Sequence, residues 1–261
     1  MSTEHAQTPE KYSRQKLNAM YRAIPMKDTT FRLLRKYFTA MSVLYGVIPL
    51  RKAKEIIRSQ NPNLVTDEAF LAFAEIAAHE REEYTIMGDD EIYLNQPKPQ
   101  PLDRRIIHLS LFGTVPDDAK AADSAPNDVL PLTAITMHQR GKPYYIPPKK
   151  EFLTYETILN VLNPTSKAAL LDFLQKRCGM GEWEAFFAMI DLIRHIQIES
   201  LRTNQIVPDL DAIGIRLQTE RDANQFMAVF QSFCNGMRMM CNRGYTPDEL
   251  SQIQPPPKPA Q

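Results

Sequence analysis

Thr66-Asp67-Glu68-Ala69-Phe70-Leu71-Ala72-Phe73-Ala74-Glu75, followed a few residues on by Tyr84-Thr85-Ile86-Met87-Gly88-Asp89-Asp90-Glu91-Ile92-Tyr93-Leu94, decides how the chain folds. Its hydrophobic period changes midway. Phe70, Phe73, Ala74 and Ala77 recur at three- and four-residue steps, which makes them one face of a helix. Thr66 is a good N-cap for that helix, and Asp67 and Glu68 suit the positive end of its dipole. From Tyr84 the period is two. Tyr84 and Ile86 alternate, Gly88-Asp89-Asp90 can turn, and Ile92 and Leu94 alternate back, which predicts a short hairpin.

Upstream, Phe31, Leu34, Phe38, Met41 and Tyr45 form one face of another helix. Asp28, Thr29 or Thr30 caps its start, and Gly46 sits where a left-handed stop is needed. Pro49 suits the first turn of a second helix, whose inner face is Leu50, Ala53, Ile56 and Ile57 and whose end is Asn61-Pro62. Three helices and a hairpin within residues 29–94 follow the order of a winged helix. A basic amphipathic helix over 9–24, with Leu17, Met20, Tyr21 and Ile24, precedes them.

Downstream, Pro97, Pro99, Pro101, Pro116, Pro126 and Pro131 interrupt any long element. The apolar piece Ile106–Phe112 reads as a short docked helix, and residues 113–130 read as mobile. From Lys149 the chain turns helical. Phe152, Tyr155, Ile158, Leu159 and Leu162 suggest one helix. Asn163-Pro164 restarts the chain toward Leu170, Leu171, Leu174 and Cys178. The helix over 181–202, with Trp183, Phe186, Phe187, Ile190, Ile193, Ile196 and Leu201, has apolar residues on more than one face, so it is expected to be central and buried. Pro208 to Ile213 suggests one helical turn. Thr219 and Asp222 open the last long helix, which carries Phe226, Phe230, Phe233, Met237 and Met240. The expected architecture is mostly α. It comprises an N-terminal helix plus winged-helix-like domain (9–94), a Pro-rich connection (95–148), a helical domain (149–250) and a disordered Pro-rich tail (251–261).

Lys plus Arg equals Asp plus Glu at 31 each, so overall charge favours no partner. The distribution is more telling. Lys11 to Arg58 holds twelve basic and two acidic residues, and Thr66 to Leu94 holds nine acidic and one basic. In a DNA-reading winged helix the third helix enters the major groove. Asp67, Glu68, Glu75, Glu80, Glu82 and Glu83 on or near that helix would be repelled by phosphate. A nucleic-acid partner would therefore have to meet Arg32, Arg35, Lys36, Arg51, Lys52, Lys54 and Arg58. The competing reading is solvated faces whose charges pair within the protein.

Three scattered cysteines (Cys178, Cys234 and Cys241), the absence of an apolar signal region at the start, and the lack of any membrane-length run predict a soluble cytoplasmic protein with reduced thiols. No phosphate loop, dinucleotide fingerprint or nucleophile elbow is present, so neither a catalytic set nor a cofactor is expected. His195 and Glu199, four apart on a helix, are the one pair placed to share a metal, against ordinary helix-face bonding. Asp89-Asp90-Glu91 reads as a solvated turn.

In Asn242-Arg243-Gly244-Tyr245-Thr246-Pro247-Asp248-Glu249-Leu250, Gly244 permits a left-handed stop, Thr246 caps, Pro247 takes the first helical position and Glu249 completes a capping box. Arg243 is expected to bind helix-end carbonyls and Tyr245 to pack under the turn. Together with Leu44–Leu50 and Arg140–Pro147, this motif resembles an uncharacterised bacterial protein family, mainly from Firmicutes and gut bacteria. The similarity is spread over residues 30–250. Many members of that family end in a zinc-binding SEC-C motif. This chain ends in prolines, so the resemblance implies neither a zinc tail nor a particular activity. The function expected is a non-enzymatic binding or regulatory protein with a protein partner, the alternative being a nucleic-acid-associated protein.

Overall fold

The computed structural model describes residues 8–93, 95–113, 129–199 and 210–253. The expectations on Leu94, on 114–128, on Leu201 and Pro208, and on the tail from Gln254 fall outside them. The chain is mostly helical with one small sheet. It divides into two compact units, Met1–Gly141 with Tyr145–Thr157, and Lys142–Tyr144 with Ile158–Gln261.

In the first unit, α1 (Arg14–Arg22) is capped by Ser13, whose hydroxyl accepts from the Lys16 amide. The next helix, α2 (Asp28–Tyr45), buries Phe31, Leu34, Phe38, Met41 and Tyr45, the face its period predicts. It stops at Gly46, where φ is +67° and a side chain would be strained. Strand β1 (Val47–Pro49) follows at once and leads into α3 (Leu50–Gln60). Pro49 is thus the extended N-cap of α3 and not its first helical residue. In α4 (Asp67–Ala77), the Thr66 hydroxyl accepts from the Ala69 amide, and Phe70, Phe73, Ala74 and Ala77 are buried.

The sheet departs from the predicted hairpin. Strand β2 (Tyr84–Met87) is followed not by a return arm but by a short helix, α5 (Asp89–Ile92). The Glu91 carboxylate accepts from the Gly88 amide at 2.6 Å, which starts a helical turn where a hairpin turn was expected. The prolines that follow donate no ladder hydrogen bonds. The return strand is β3 (Arg105–His108), which overlaps the start of the stretch predicted as a docked helix. Ile106 and Ile107 are β-branched and sit in the central strand, with order β1-β3-β2 and both pairings antiparallel. Val47 pairs with Ile107, and Tyr84 with His108. A 3-10 turn, Leu109–Leu111, completes the misread segment.

Helix α6 (Leu130–His138) occupies a region expected to be linker and buries Leu132 and Ile135. Gln139, also buried, donates to the Tyr45 carbonyl at 2.5 Å. Tyr45 in turn donates its hydroxyl to the Tyr145 carbonyl at 2.6 Å. The predicted helix over 152–162 is broken into α7 (Lys149–Phe152) and two 3-10 turns, because Tyr155 leaves helical geometry with ψ of 19°. Phe152 packs against Tyr37 and Tyr45 of α2.

In the second unit, Asn163 caps α8 (Pro164–Lys176) through the Thr165 and Ser166 amides. Helix α9 (Glu182–Glu199) buries Ala185, Met189, Leu192, Ile193 and Ile196. Helix α10 (Glu220–Asn235) is capped by Thr219 and packs Phe226 on Phe173 and Phe230. It ends at Asn235, so Met237 and Met240 lie beyond it, both still buried. The last described helix is α11 (Pro247–Ile253). Among the described residues no helix is long and apolar enough to cross a membrane.

Candidate functional site

Helices α2 and α3 carry all seven basic side chains singled out in the sequence, and folding brings six of them to carboxylates. Arg35 donates to Glu80 at 2.6 Å and lies 4.7 Å over the ring of Tyr21. Lys36 reaches Glu156 at 3.2 Å. Arg51 donates twice to Asp103, at 2.8 and 3.0 Å. Lys52 pairs with Glu55 one turn along at 2.5 Å. Lys54 at 2.6 Å and Arg58 at 3.1 Å share Asp67 at the start of α4. The Lys54 hydrogen bond holds the Asp67 carboxyl below the ordinary carboxylate range, against the opposing effect of desolvation. Arg32 has no ion-pair partner among the described residues.

Several of the acids are thus tied to cations. Glu75 and Glu91 both hold Arg104, and Asp89 holds Arg105, so the segment between β2 and β3 is tied down at its acidic turn. Glu80 lies past the end of α4 and points inward: its side chain is 7% exposed, against 31% for Arg35. Burial, then the Glu80 charge, pushes the hydroxyls of Tyr21 and Tyr84 above their ordinary values and keeps them protonated. The Tyr84 hydroxyl has no hydrogen-bond partner among the described residues, whereas the Tyr21 hydroxyl interacts with Glu80 and Arg35.

In the second unit the turn from Asn242 to Pro247 is bound from several sides. Arg243 has φ of +49° and Gly244 φ of +84°. The Arg243 guanidinium donates to the Lys142 carbonyl at 2.6 Å and stacks 4.4 Å over Tyr144. Lys142 donates to the Asn242 side chain at 2.7 Å and to the Cys241 carbonyl at 3.0 Å. The carbonyl Arg243 binds thus belongs to residue 142 and not to a helix end. The Thr246 hydroxyl and the Glu249 carboxylate accept from each other's amides, both at 3.1 Å, a complete capping box. Arg238 braces Glu249 at 2.9 Å and the Gly244 carbonyl at 3.1 Å. Gln197, buried on α9, donates to the Arg238 carbonyl and accepts from the Met240 amide. This residue lay outside the sequence reading, since a lone Gln on an apolar helix leaves no pattern.

Two aromatic residues of α9 that the sequence places in a buried helix are exposed. Trp183 is 72% and Phe187 60% exposed, and both rings lie within 6.4 Å of Phe186 or of each other. The expectation of a helix buried on more than one side is therefore corrected for its first turns. The apolar residues there do cover several faces, but among the described residues the buried side of those turns is that of Ala185, Ala188 and Met189.

His195 lies on α9, but the side chain of Glu199 is outside the described residues. No group of three metal-ligating side chains occurs among the described residues. No disulfide joins Cys178, Cys234 and Cys241, and burial pushes the Cys234 thiol up to about 12. A thiol so raised is a packing group and not a nucleophile. No family model, curated protein or solved structure matches the chain.

Proposed function

We propose that the chain is a non-enzymatic binding or regulatory protein that uses a winged-helix scaffold for protein contact. The winged-helix reading is supported by the order α2, β1, α3, α4, β2, β3 and by the strand order β1-β3-β2. In it β1 is the short strand between the first two helices, α4 is the third helix, and residues 88–93 and 95–104 are the wing.

One observation carries the protein-contact reading. Every ionisable side chain on α4 is acidic: Asp67, Glu68 and Glu75. Asp67 and Glu75 also hold cations of α3 and of the segment before β3. A helix so charged is repelled from a DNA groove, and the arginines around it are already engaged. Trp183 and Phe187 add exposed aromatic area of the kind that anchors protein interfaces. The test is capture from the native cell with wild-type bait and with bait carrying Asp67→Lys, Glu68→Lys and Glu75→Lys. A protein partner held by the first and lost by the second supports the reading; identical recovery on both baits removes α4 from it.

The nucleic-acid alternative keeps one supporting observation. Most of the pairs on α2 and α3 are solvent-exposed, hence individually weak, and phosphate can compete for them. A gel-shift series in rising salt decides it. Retention that falls steeply with salt and vanishes on charge reversal of Arg51, Lys52 and Lys54 favours nucleic acid, and no retention at low salt ends the alternative.

A further inference from the structure

A cleft of about 520 Å³ opens in the first unit, lined by residues of α1 and α2 and of the loop joining them. Its volume is in the range of small-molecule sites. Asn18 and Arg22 enter it from α1, one turn apart, and Arg32 and Arg35 enter from α2, also one turn apart. Met26, with the edges of Ile24 and Phe31, supplies an apolar wall.

Three features of this cleft point to an anionic ligand. Arg35 is held in place before anything binds, by Glu80 behind it and by the Tyr21 ring beneath it. Arg22 and Arg32 have no ion-pair partner among the described residues, so their guanidinium forks remain available. The cleft also holds the start of α2, where Lys27 offers no side-chain cap to the first amides.

Charge sets the size of the anion. Three guanidiniums line the cleft against one carboxylate, Asp28. Glu80 offsets part of the charge of Arg35, so the excess is between one and two positive charges. A phosphate monoester, at about −1.5 to −2 near neutral pH, matches that excess. A polyanion would meet Asp28.

We propose that this cleft binds a small phosphomonoester whose organic part is apolar or aromatic. Arg22 and Arg32 take the phosphate oxygens, Arg35 adds a fixed third cation, and Met26, Ile24 and Phe31 face the organic group. This reading is independent of the protein-contact function.

The probe is phenyl phosphate, titrated by calorimetry into the intact chain at constant ionic strength. One-to-one saturation is expected, tighter than with inorganic phosphate because the ring finds an apolar wall. Arg22→Ala and Arg32→Ala are each expected to weaken binding about tenfold, the usual cost of losing a charged hydrogen-bond donor. Both side chains are exposed, so circular dichroism of each variant should match wild type, and Arg51→Ala on α3 should bind as wild type does. Absence of saturation by about 10 mM, a range already weaker than millimolar ligands, overturns the proposal. So do unchanged affinities in both variants. Equal affinity for inorganic phosphate overturns the organic part, and displacement of phenyl phosphate by a single-stranded oligonucleotide with a steep salt dependence overturns the monoester in favour of a phosphodiester chain.

Discussion

Arg35 and Glu80, forty-five positions apart in the chain, meet at 2.6 Å with the carboxylate almost wholly buried and the guanidinium about a third exposed. The pair ties α2 to the turn after α4. Removing the cation leaves a buried carboxylate without its partner, so Arg35→Ala should cost about 2 kcal/mol, less than for a fully buried pair because Arg35 is part solvated. Replacing both residues, Arg35→Met with Glu80→Leu, should cost less than the two single changes added together. Urea midpoints of the four proteins measure this. Strict additivity would mean that the ion pair contributes nothing.

The Arg243 guanidinium depends on its planar fork, which bonds the Lys142 carbonyl and stacks on Tyr144 at once. Lysine keeps the charge but cannot do both. Arg243→Lys is therefore expected to destabilise the second unit nearly as much as Arg243→Ala, by about 1–2 kcal/mol. Thermal unfolding followed by circular dichroism separates the outcomes: a Lys variant melting with wild type would show that charge alone matters.

Asp67 bridges α3 and α4 through Lys54 and Arg58, and the Lys54 hydrogen bond lowers its pKa in the folded protein. A lowered carboxyl pKa contributes stability that is present above the unfolded value, about 3.9, and is lost as pH falls through the folded value. Asp67→Asn should therefore lower the melting temperature at pH 7 and make little difference at the acid end of that window. Because Asp67 is exposed, the gap at pH 7 should also narrow in high salt. A gap that is the same at both pH values would trace the effect to lost packing and not to charge.

Where the sequence was legible, the period was long enough to read. The inner faces of α2, α3 and α4 each recur through at least two turns, and their residues are the buried ones. The sheet was less legible because its pieces are short. Val47-Ile48-Pro49 becomes a strand only because Ile107 and Ile106 lie alongside it, and nothing local announces that. Ile106 to Phe112 is an apolar run whose length fits a helix or a strand equally, and pairing on both sides decides it. The basic residues of the candidate face could likewise be named without their partners. Glu80, Asp103 and Glu156 come from remote positions, and only the packed chain brings them to Arg35, Arg51 and Lys36.

Burial pushes the Cys234 thiol up to about 12; burial and the Asp222 charge also raise the Cys178 thiol, but Cys178 is partly exposed. With a thiol reagent at pH 8, Cys178 should react in the native protein and Cys234 only on opening, since the thiolate is the reactive form. Mass-spectrometric mapping of the labelled sites against denaturant concentration checks this. Native labelling of Cys234 at the rate of Cys178 would place it at the surface.

Trp183 is the single tryptophan of the chain, so its emission reports one place: the exposed aromatic edge of α9. In the isolated protein the emission should resemble that of indole in water, and acrylamide should quench it nearly as well as in urea. Trp183→Ala should change stability by less than about 0.5 kcal/mol, as expected for a side chain that buries little. A partner that seats on this edge should shift the emission to the blue and protect it from quencher, because an interface anchor is desolvated on binding. If the isolated protein already shows blue, protected emission, dilution distinguishes the causes. Emission that reddens on dilution means a second copy covers Trp183, and emission that stays blue at every concentration means the side chain is packed within its own chain.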